Sequence, residues 1–204
     1  MFRYLSALNL MRFISEKPTG GGDTRRSRGR RLRIWDQVVV RRWQRLALPE
    51  GLQRWMVIFV RVGDGWGWAM VAGALAWILP WARFKLLLGQ SLFAVAISLP
   101  VYWGIKLGFR RARPFASTQR IAPRVPPLDK YSFPSGHTMN NLAVAMTLAM
   151  HIPWLWPLAL AIPLSLGLLR VLFGVHFLTD ILAGALLGVL SSLSAHWLFP
   201  RVFS

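Results

Sequence analysis

Residues 86–105 read LLLGQSLFAVAISLPVYWGI, a run of 20 residues without a charged side chain. An α-helix rises about 1.5 Å per residue, so this segment is long enough to cross the roughly 30 Å hydrocarbon layer of a bilayer. The whole chain has 204 residues, of which 54% are apolar and only 16% are charged. These features together predict one integral membrane domain.

On both sides of this segment, further apolar runs predict an all-α, polytopic membrane helical bundle with five to six transmembrane helices. The five clear spans are 66–82, 86–105, two helices within 138–169 separated by Pro153 and Pro157, and 177–199. A sixth segment, 51–62, is short and carries Arg54 and Arg61, so it either spans marginally or lies on the surface. In the last span, Gly184 and Gly188 form a small-xxx-small pair that lets another helix approach closely.

Charge is distributed unevenly along the chain. The formal net charge is +18, and more than half of the lysines and arginines precede residue 62. We therefore predict a flexible basic tail over 1–34, amphipathic or marginally spanning helices over 35–62, and a membrane domain over 63–200. The tail is expected to be cytoplasmic and to contact anionic lipid headgroups rather than nucleic acid, because the remaining segments are membrane-like. The absence of cysteine excludes disulfides, thiolate nucleophiles and thiolate metal sites.

Polar and ionisable groups gather at three boundaries between helices, where their burial is expensive. Lys106 ends one span, His137 begins the next, Arg170 ends another, and His176 begins the last. Because successive spans cross in alternating directions, these boundaries are expected to lie on one face of the membrane.

The first two boundaries fit an anion-binding site. Lys106, Arg110 and Arg113 recur at i, i+4 and i+7, which predicts a cationic stripe on a helix that extends out of the bilayer. A solvated helix face is the alternative for this stripe. Ser135 and Gly136 open the following helix, whose free N–H groups can bind phosphate oxygens, although a simple capping turn has the same pattern.

The third boundary places His176 and Asp180 four residues apart, on one helix face, after Arg170 and the helix-breaking Gly174. A carboxylate bonded to one imidazole nitrogen fixes the tautomer and leaves the other nitrogen free as a nucleophile. A metal site or a buried structural hydrogen bond would also explain the pair. The few acids and the neighbouring cations disfavour a metal.

Three spaced motifs share this region. They are Lys106 with Arg113 and Pro114, then Pro134, Ser135, Gly136 and His137, and then Arg170, His176 and Asp180. In this order and spacing they resemble the type 2 phosphatidic acid phosphatase superfamily, over about 62–197. The family's third motif usually has serine before its arginine, whereas this chain has Leu169.

The resemblance implies the role of each motif residue. His176 would accept the phosphoryl group, Asp180 would orient it, and His137 would protonate the leaving group. The implied phosphate-binding residues are Lys106, Arg113, Ser135, Gly136 and Arg170. It implies no metal and no other cofactor, and it makes 63–200 the phosphatase domain.

The expected function is therefore an integral-membrane lipid phosphatase that acts on a lipid phosphate or pyrophosphate, in a multi-pass protein of a bacterial inner membrane. Candidate substrates implied by the resemblance are phosphatidic acid, phosphatidylglycerophosphate, polyprenyl pyrophosphate and lipid A. A lipid phosphotransferase that uses the same histidine is one alternative, and a non-catalytic protein that binds anionic lipid is another. If 51–62 spans the membrane the site faces outward, and if it lies on the surface the site faces the cytoplasm. The sequence does not predict an oligomeric state.

Overall fold

The computed structural model describes residues 24–117, 121–127 and 129–203, and within them the fold is all-helical apart from one isolated bridge between Ala112 and Tyr131. The α-helices are α1 (Thr24–Gln44), α2 (Glu50–Arg61), α3 (Gly67–Ile78), α4 (Trp81–Phe109), α5 (Pro114–Ser117), α6 (Gly136–His151), α7 (Trp156–Leu172) and α8 (Leu178–Phe203). A π-helical turn, Val62–Trp66, joins α2 to α3, and a 3-10 turn, Pro153–Leu155, precedes α7. This confirms the predicted class, a helical bundle.

The basic N-terminal region contains more helix than we predicted. Residues 1–23 of the predicted tail lie outside the described residues, but 24–34, which we also assigned to the tail, form the first half of α1. Helix α2 begins directly after Pro49. Proline has no N–H to donate and suits the residue that precedes a helix.

The boundary between the first two predicted spans was wrong. Helix α3 ends at Ile78, Leu79 is extended, and α4 already begins at Trp81 after Pro80, so Ala82 belongs to the second helix. The residue before a proline avoids helical geometry, and this preference ended α3 before the predicted limit of the span at residue 82.

Helix α6 is the centre of the bundle, and most of its residues are buried against α4, α7 and α8. The glycine pair of α8 explains the closest packing. A Cβ atom on Gly184 would lie 2.4 Å from the carbonyl oxygen of Ser135, and one on Gly188 would lie 2.5 Å from that of Met139. Only glycine fits at these positions, so the predicted close approach is confirmed as packing against α6.

Within the described residues, three helices are long and apolar enough to cross a membrane: Trp81–Phe109, Pro153–Leu172 and Leu178–Phe203. The prediction of five to six spans is not confirmed, because α3 has 12 residues and α6 has 16. The long helices turn large apolar side chains outward, including Leu92, Leu182 and Leu186. This surface suits contact with lipid tails and supports a membrane location.

Candidate active site

The three motif boundaries meet at one end of the bundle, called here the site end, as the span count predicted. The backbone N–H of Ser135, which precedes α6, donates to the carbonyl oxygen of Asp180 at the start of α8, at 3.0 Å. Nη1 of Arg113 donates to the carbonyl oxygen of Val175 in the α7–α8 connection, at 2.8 Å. These bonds hold the ends of α6, α7 and α8 and the segment after α4 around one site.

The predicted cationic stripe was wrong. Helix α4 ends at Phe109, and Arg110 adopts a left-handed conformation with φ 44°. The exposed Arg110 side chain donates from Nε to the carbonyl oxygen of Leu107, at 2.9 Å, rather than into the site. Arg113 enters the site from the irregular segment that follows the helix, so it and Lys106 do not share a helix face.

Lys106 and Arg113 are nevertheless brought together by Asp129, a residue that our sequence reasoning missed. Oδ2 of Asp129 lies 2.7 Å from Nζ of Lys106, and Oδ1 accepts from Nη2 of Arg113 at 2.9 Å. The side chains of both cations are almost fully buried, with 1% and 2% exposed. Burial alone would raise the pKa of Asp129, but the bonds and charges of Lys106 and Arg113 outweigh it and lower the pKa below the ordinary value.

The start of α6 is built as predicted. Ser135 precedes the helix, and its Oγ accepts from the backbone N–H of Thr138 at 3.5 Å, a long capping bond. Gly136 has a further reason to be glycine, because a Cβ atom there would lie 2.8 Å from the ring of Tyr102. Tyr102 and Gly136 line the same polar cavity.

His137 pairs with Asp64, a second acid that sequence reasoning did not assign to the site. Nε2 of His137 lies 2.5 Å from Oδ1 of Asp64, and Nη1 of Arg170 lies 3.4 Å from the same oxygen. Burial would raise the pKa of Asp64, but the hydrogen bond and charge of His137 and the charge of Arg170 lower it below the ordinary value. Within the described part of the chain, buried Nε of Arg170 has no hydrogen-bond partner, so this guanidinium can still donate to an anion.

His176 is buried between a carboxylate and a guanidinium. Its Nδ1 lies 3.5 Å from Oδ2 of Asp180 without a hydrogen bond between them, and its Nε2 lies 3.3 Å from Nη1 of Arg113. Burial lowers the pKa of His176 to about 4 despite the opposing effect of Asp180. A neutral imidazole with its proton on Nδ1 fits both neighbours, and it leaves the lone pair of Nε2 facing Arg113.

Asp180 is fixed by two further groups. Its Oδ2 accepts from the backbone N–H of Phe177 at 2.8 Å, and its Oδ1 accepts from Nη1 of Arg111 at 2.7 Å. Arg111 also donates from Nη2 to Asp36 of α1, at 2.6 Å. Sequence reasoning missed Arg111 and Asp36. The scarcity of acidic residues could have pointed to the missed site residues. This chain has only seven Asp and Glu residues, and three of the missed site residues are acids.

Two cavities adjoin at the site. A polar cavity of about 380 Å³ is lined by Asp64, Tyr102, Asp129 and His137, among others. An apolar cavity of about 340 Å³ lies between the α2–α3 region and helices α6 and α7. Gly63, Trp68 and Asn141 line both cavities, and Nε1 of Trp68 donates to Oδ1 of Asn141 at 2.9 Å. In the described part of the chain, no group of three or more His, Cys, Asp or Glu residues could hold a metal ion.

A family model described as the PAP2 superfamily matches residues 85–204. The chain belongs to the PAP2 superfamily. The resemblance inferred from the three motifs is therefore confirmed, and all eight predicted site residues lie inside the PAP2 match. Asp36 and Asp64 lie outside it.

Two of three curated relatives carry names that agree with the predicted enzyme class. A phosphatidylglycerophosphatase B of Bacillus subtilis is 40% identical over 35% of this chain and 42% of its own length. An undecaprenyl-diphosphatase of Sulfolobus acidocaldarius is 30% identical over 72% of this chain and 68% of its own. A bacitracin transport permease protein of Bacillus licheniformis, BcrC, is 33% identical over 44% of each chain. The chain thus spans less than half the length of two of these relatives.

The fold also resembles that of a solved PAP2 enzyme. The crystal structure of a transmembrane PAP2-type phosphatidylglycerolphosphate phosphatase from Bacillus subtilis has a TM-score of 0.65, with 24% identity over 85% of this chain and 88% of that one. At this identity the likeness concerns the fold alone. It supports the assignment to a helical membrane bundle.

Proposed function

We propose that the chain removes a phosphate monoester or a pyrophosphate phosphoryl group from a lipid, with His176 as the phosphoryl acceptor. The observation that carries this proposal is the contact between Nη1 of Arg113 and Nε2 of His176, at 3.3 Å. It places a buried guanidinium, suited to phosphate oxygens, beside the free nitrogen of a neutral imidazole. Membership in the PAP2 superfamily and the phosphatase names of the relatives support the same reaction.

In the first step, Nε2 of His176 attacks phosphorus. A nitrogen–phosphorus bond forms while the phosphorus–oxygen bond to the lipid, or to the lipid monophosphate of a pyrophosphate, breaks. His137 transfers its proton to the leaving oxygen, and Asp64, 2.5 Å from Nε2 of His137, favours the protonated form that this step requires, against burial, which lowers the pKa of His137 below its ordinary value. Asp180 holds the proton on Nδ1 of His176 and balances the charge that develops on the ring.

In the second step, a water molecule attacks the phosphohistidine. His137 accepts the proton of that water, the nitrogen–phosphorus bond breaks, and inorganic phosphate leaves. Lys106, Arg113 and Arg170 would hold the equatorial oxygens, together with the N–H groups at the start of α6. These cations can offset the charge of the transition state, so we propose that the reaction needs no metal ion.

The apolar cavity supports a lipid as the substrate. It shares three lining residues with the polar cavity, so one molecule can place its phosphate near His137 and its hydrocarbon chain against apolar side chains. Its volume of about 340 Å³ is in the range of roughly 300–1,000 Å³ that is usual for ligand pockets. Phosphatidylglycerophosphate and polyprenyl pyrophosphate are proposed as the first substrates to test, because relatives are named for them.

We further propose a multi-pass arrangement in a bacterial inner membrane, with the N-terminus in the cytoplasm. The basic segment before residue 62 would contact anionic headgroups. Tighter binding of the full chain to vesicles that contain anionic lipid than to neutral vesicles, lost at high salt, would agree with this partner.

The test of the enzymatic proposal is phosphate release from a lipid panel by the detergent-purified chain in the presence of a chelator. We expect release by the wild type, loss of release in His176→Ala, and an acid-labile phosphoryl label on the wild type that is absent from His176→Ala. His196→Ala is the matched control, because His196 lies on the same helix α8 but is exposed near its other end. Equal release by the wild type and His176→Ala on every substrate would refute the proposal.

A further inference from the structure

The position of α1 bears on which membrane face the site opens to. Asp36 of α1 is buried and accepts hydrogen bonds from the backbone N–H of Thr179, at 3.2 Å, and from Arg111, at 2.6 Å. Near the end of the same helix, Nε2 of Gln44 donates to the carbonyl oxygen of Ala122, at 2.8 Å. All of these partners belong to the segments around His176, so α1 lies across the site end and does not cross the bilayer.

Helix α2 also remains at the site end. Leu48, just before it, and Val60, near its end, both pack into a cluster formed by the last turns of α7 and the α7–α8 connection, including Leu172 and Phe173. The turn after α2 then brings Asp64 to His137.

The first segment that leaves the site end is therefore α3. Trp68 at its start bonds to Asn141 in the second turn of α6, at 2.9 Å. Arg83, which follows it at the start of α4, lies at the opposite end of the bundle and donates to the carbonyl oxygen of His151, at 3.4 Å. Helix α4 runs back to the site end, where it reaches Lys106, and α6 runs away from that end. Helix α7 then runs back to the site end at Arg170, and α8 runs away from it.

Basic residues are concentrated at the site end, even when the cations of the proposed site are left out. Helix α1 alone carries eight arginines and one acid in its sequence. The other basic residues at the site end are Arg45, Arg54, Arg61, Arg110, Arg111, Arg124 and Lys130. Among the described residues, the opposite end has Arg83, Lys85 and Arg201. Cytoplasmic segments of membrane proteins carry the excess of lysine and arginine.

We infer that the site opens on the cytoplasmic face, on the same side as the basic helix α1. The inference rests on the proposed function for its chemical meaning, since it makes the substrate a lipid phosphate or pyrophosphate of the cytoplasmic leaflet. The basic surface around the site would also attract anionic lipid of that leaflet.

Single cysteines test this orientation cleanly, because the chain has none of its own. Pro126→Cys and Leu46→Cys place exposed thiols at the site end, and Trp154→Cys places one in the turn before α7 at the opposite end. In intact bacterial spheroplasts, a membrane-impermeant maleimide should label only Trp154→Cys. After permeabilisation, it should label all three.

Labelling of Pro126→Cys in intact spheroplasts with Leu46→Cys protected would overturn the inference, because α2 would then cross the membrane. Labelling of both from outside would overturn it as well. Recovery of each variant in the membrane fraction and labelling after permeabilisation exclude a misfolded or inaccessible thiol. Labelling does not depend on activity, so a failure of the His176→Ala comparison and a failure of this orientation are separate results.

Discussion

Replacing Asp129 with asparagine should destabilise the protein in the absence of ligand and strengthen its response to phosphate. Asp129 accepts hydrogen bonds from Lys106, Arg113 and Tyr102 at 2.7, 2.9 and 3.0 Å. The side-chain amide of asparagine keeps the shape and one acceptor but removes the negative charge. Two buried cations would then face the site without an anion.

The magnitude follows from burial. Removing one partner of a buried ion pair costs about 3–5 kcal/mol. The side chain of Asp129 is 24% exposed, and asparagine retains an acceptor, so the lower limit applies. At roughly 2–4 °C per kcal/mol for a chain of this size, a loss of about 3 kcal/mol lowers the Tm by roughly 6–12 °C.

Inorganic phosphate should reverse part of this loss, because it can replace the missing carboxylate beside Lys106 and Arg113. A ligand that binds only the folded state stabilises it by RT ln(1 + [L]/Kd), so tighter binding produces a larger Tm increase at the same phosphate concentration. The assay is thermal unfolding in detergent, followed by tryptophan fluorescence with and without phosphate. Glu50→Gln is the control, because the side chain of Glu50 is 89% exposed and its pair with Arg54 is worth little.

The reasoning would be refuted if Asp129→Asn melts within about 2 °C of the wild type, since the expected shift is several times larger. It would also fail if phosphate raises the Tm of the variant no more than that of the wild type. The first outcome would mean that Asp129 does not neutralise the two cations, and the second that phosphate does not bind where Asp129 does.

Two further predictions concern the histidines. Asp64→Asn should lower kcat by roughly 10- to 100-fold and leave KM no higher, because Asp64 favours protonated His137 and makes no attractive contact with a phosphate; unchanged kcat on a hydrolysed lipid would contradict this role. The pKa of His176 is about 4 in the folded protein, below the ordinary value of 6.5. Between pH 4 and pH 6.5, unfolding is therefore accompanied by the uptake of a proton on this imidazole. The wild-type Tm should therefore fall as the pH drops from 6.5 towards 4, and less so in His176→Asn, whereas parallel curves would contradict a buried neutral imidazole.

Local sequence was sufficient for much of the bundle. The breaks before α2 and between α6 and α7 occur at Pro49 and Pro153, because a missing N–H disrupts a helix wherever the chain goes afterwards. The pairing of His176 with Asp180 follows from their spacing of four residues, which places them on one helix face. The close helix contact at Gly184 and Gly188 could also be predicted, since closely spaced small residues favour close approach of two helices.

Local patterns failed where a helix ended earlier than its periodicity suggested. The spacing of Lys106, Arg110 and Arg113 predicted one helix face, but Arg110 turned left-handed and the helix ended at Phe109. Periodicity describes where side chains would point if a helix continued. It does not say that the helix continues.

The sequence by itself determined the helical class, the order of the three motifs and the local His176–Asp180 pair, because each depends on residues close together in the chain. Only the tertiary structure decided which acids serve the cations. Asp64 meets His137 and Arg170 across 73 and 106 positions, and Asp36 meets Arg111 across 75. It also placed α1 and α2 at the site end of the bundle. Such contacts depend on the path of the whole chain, which no local spacing records.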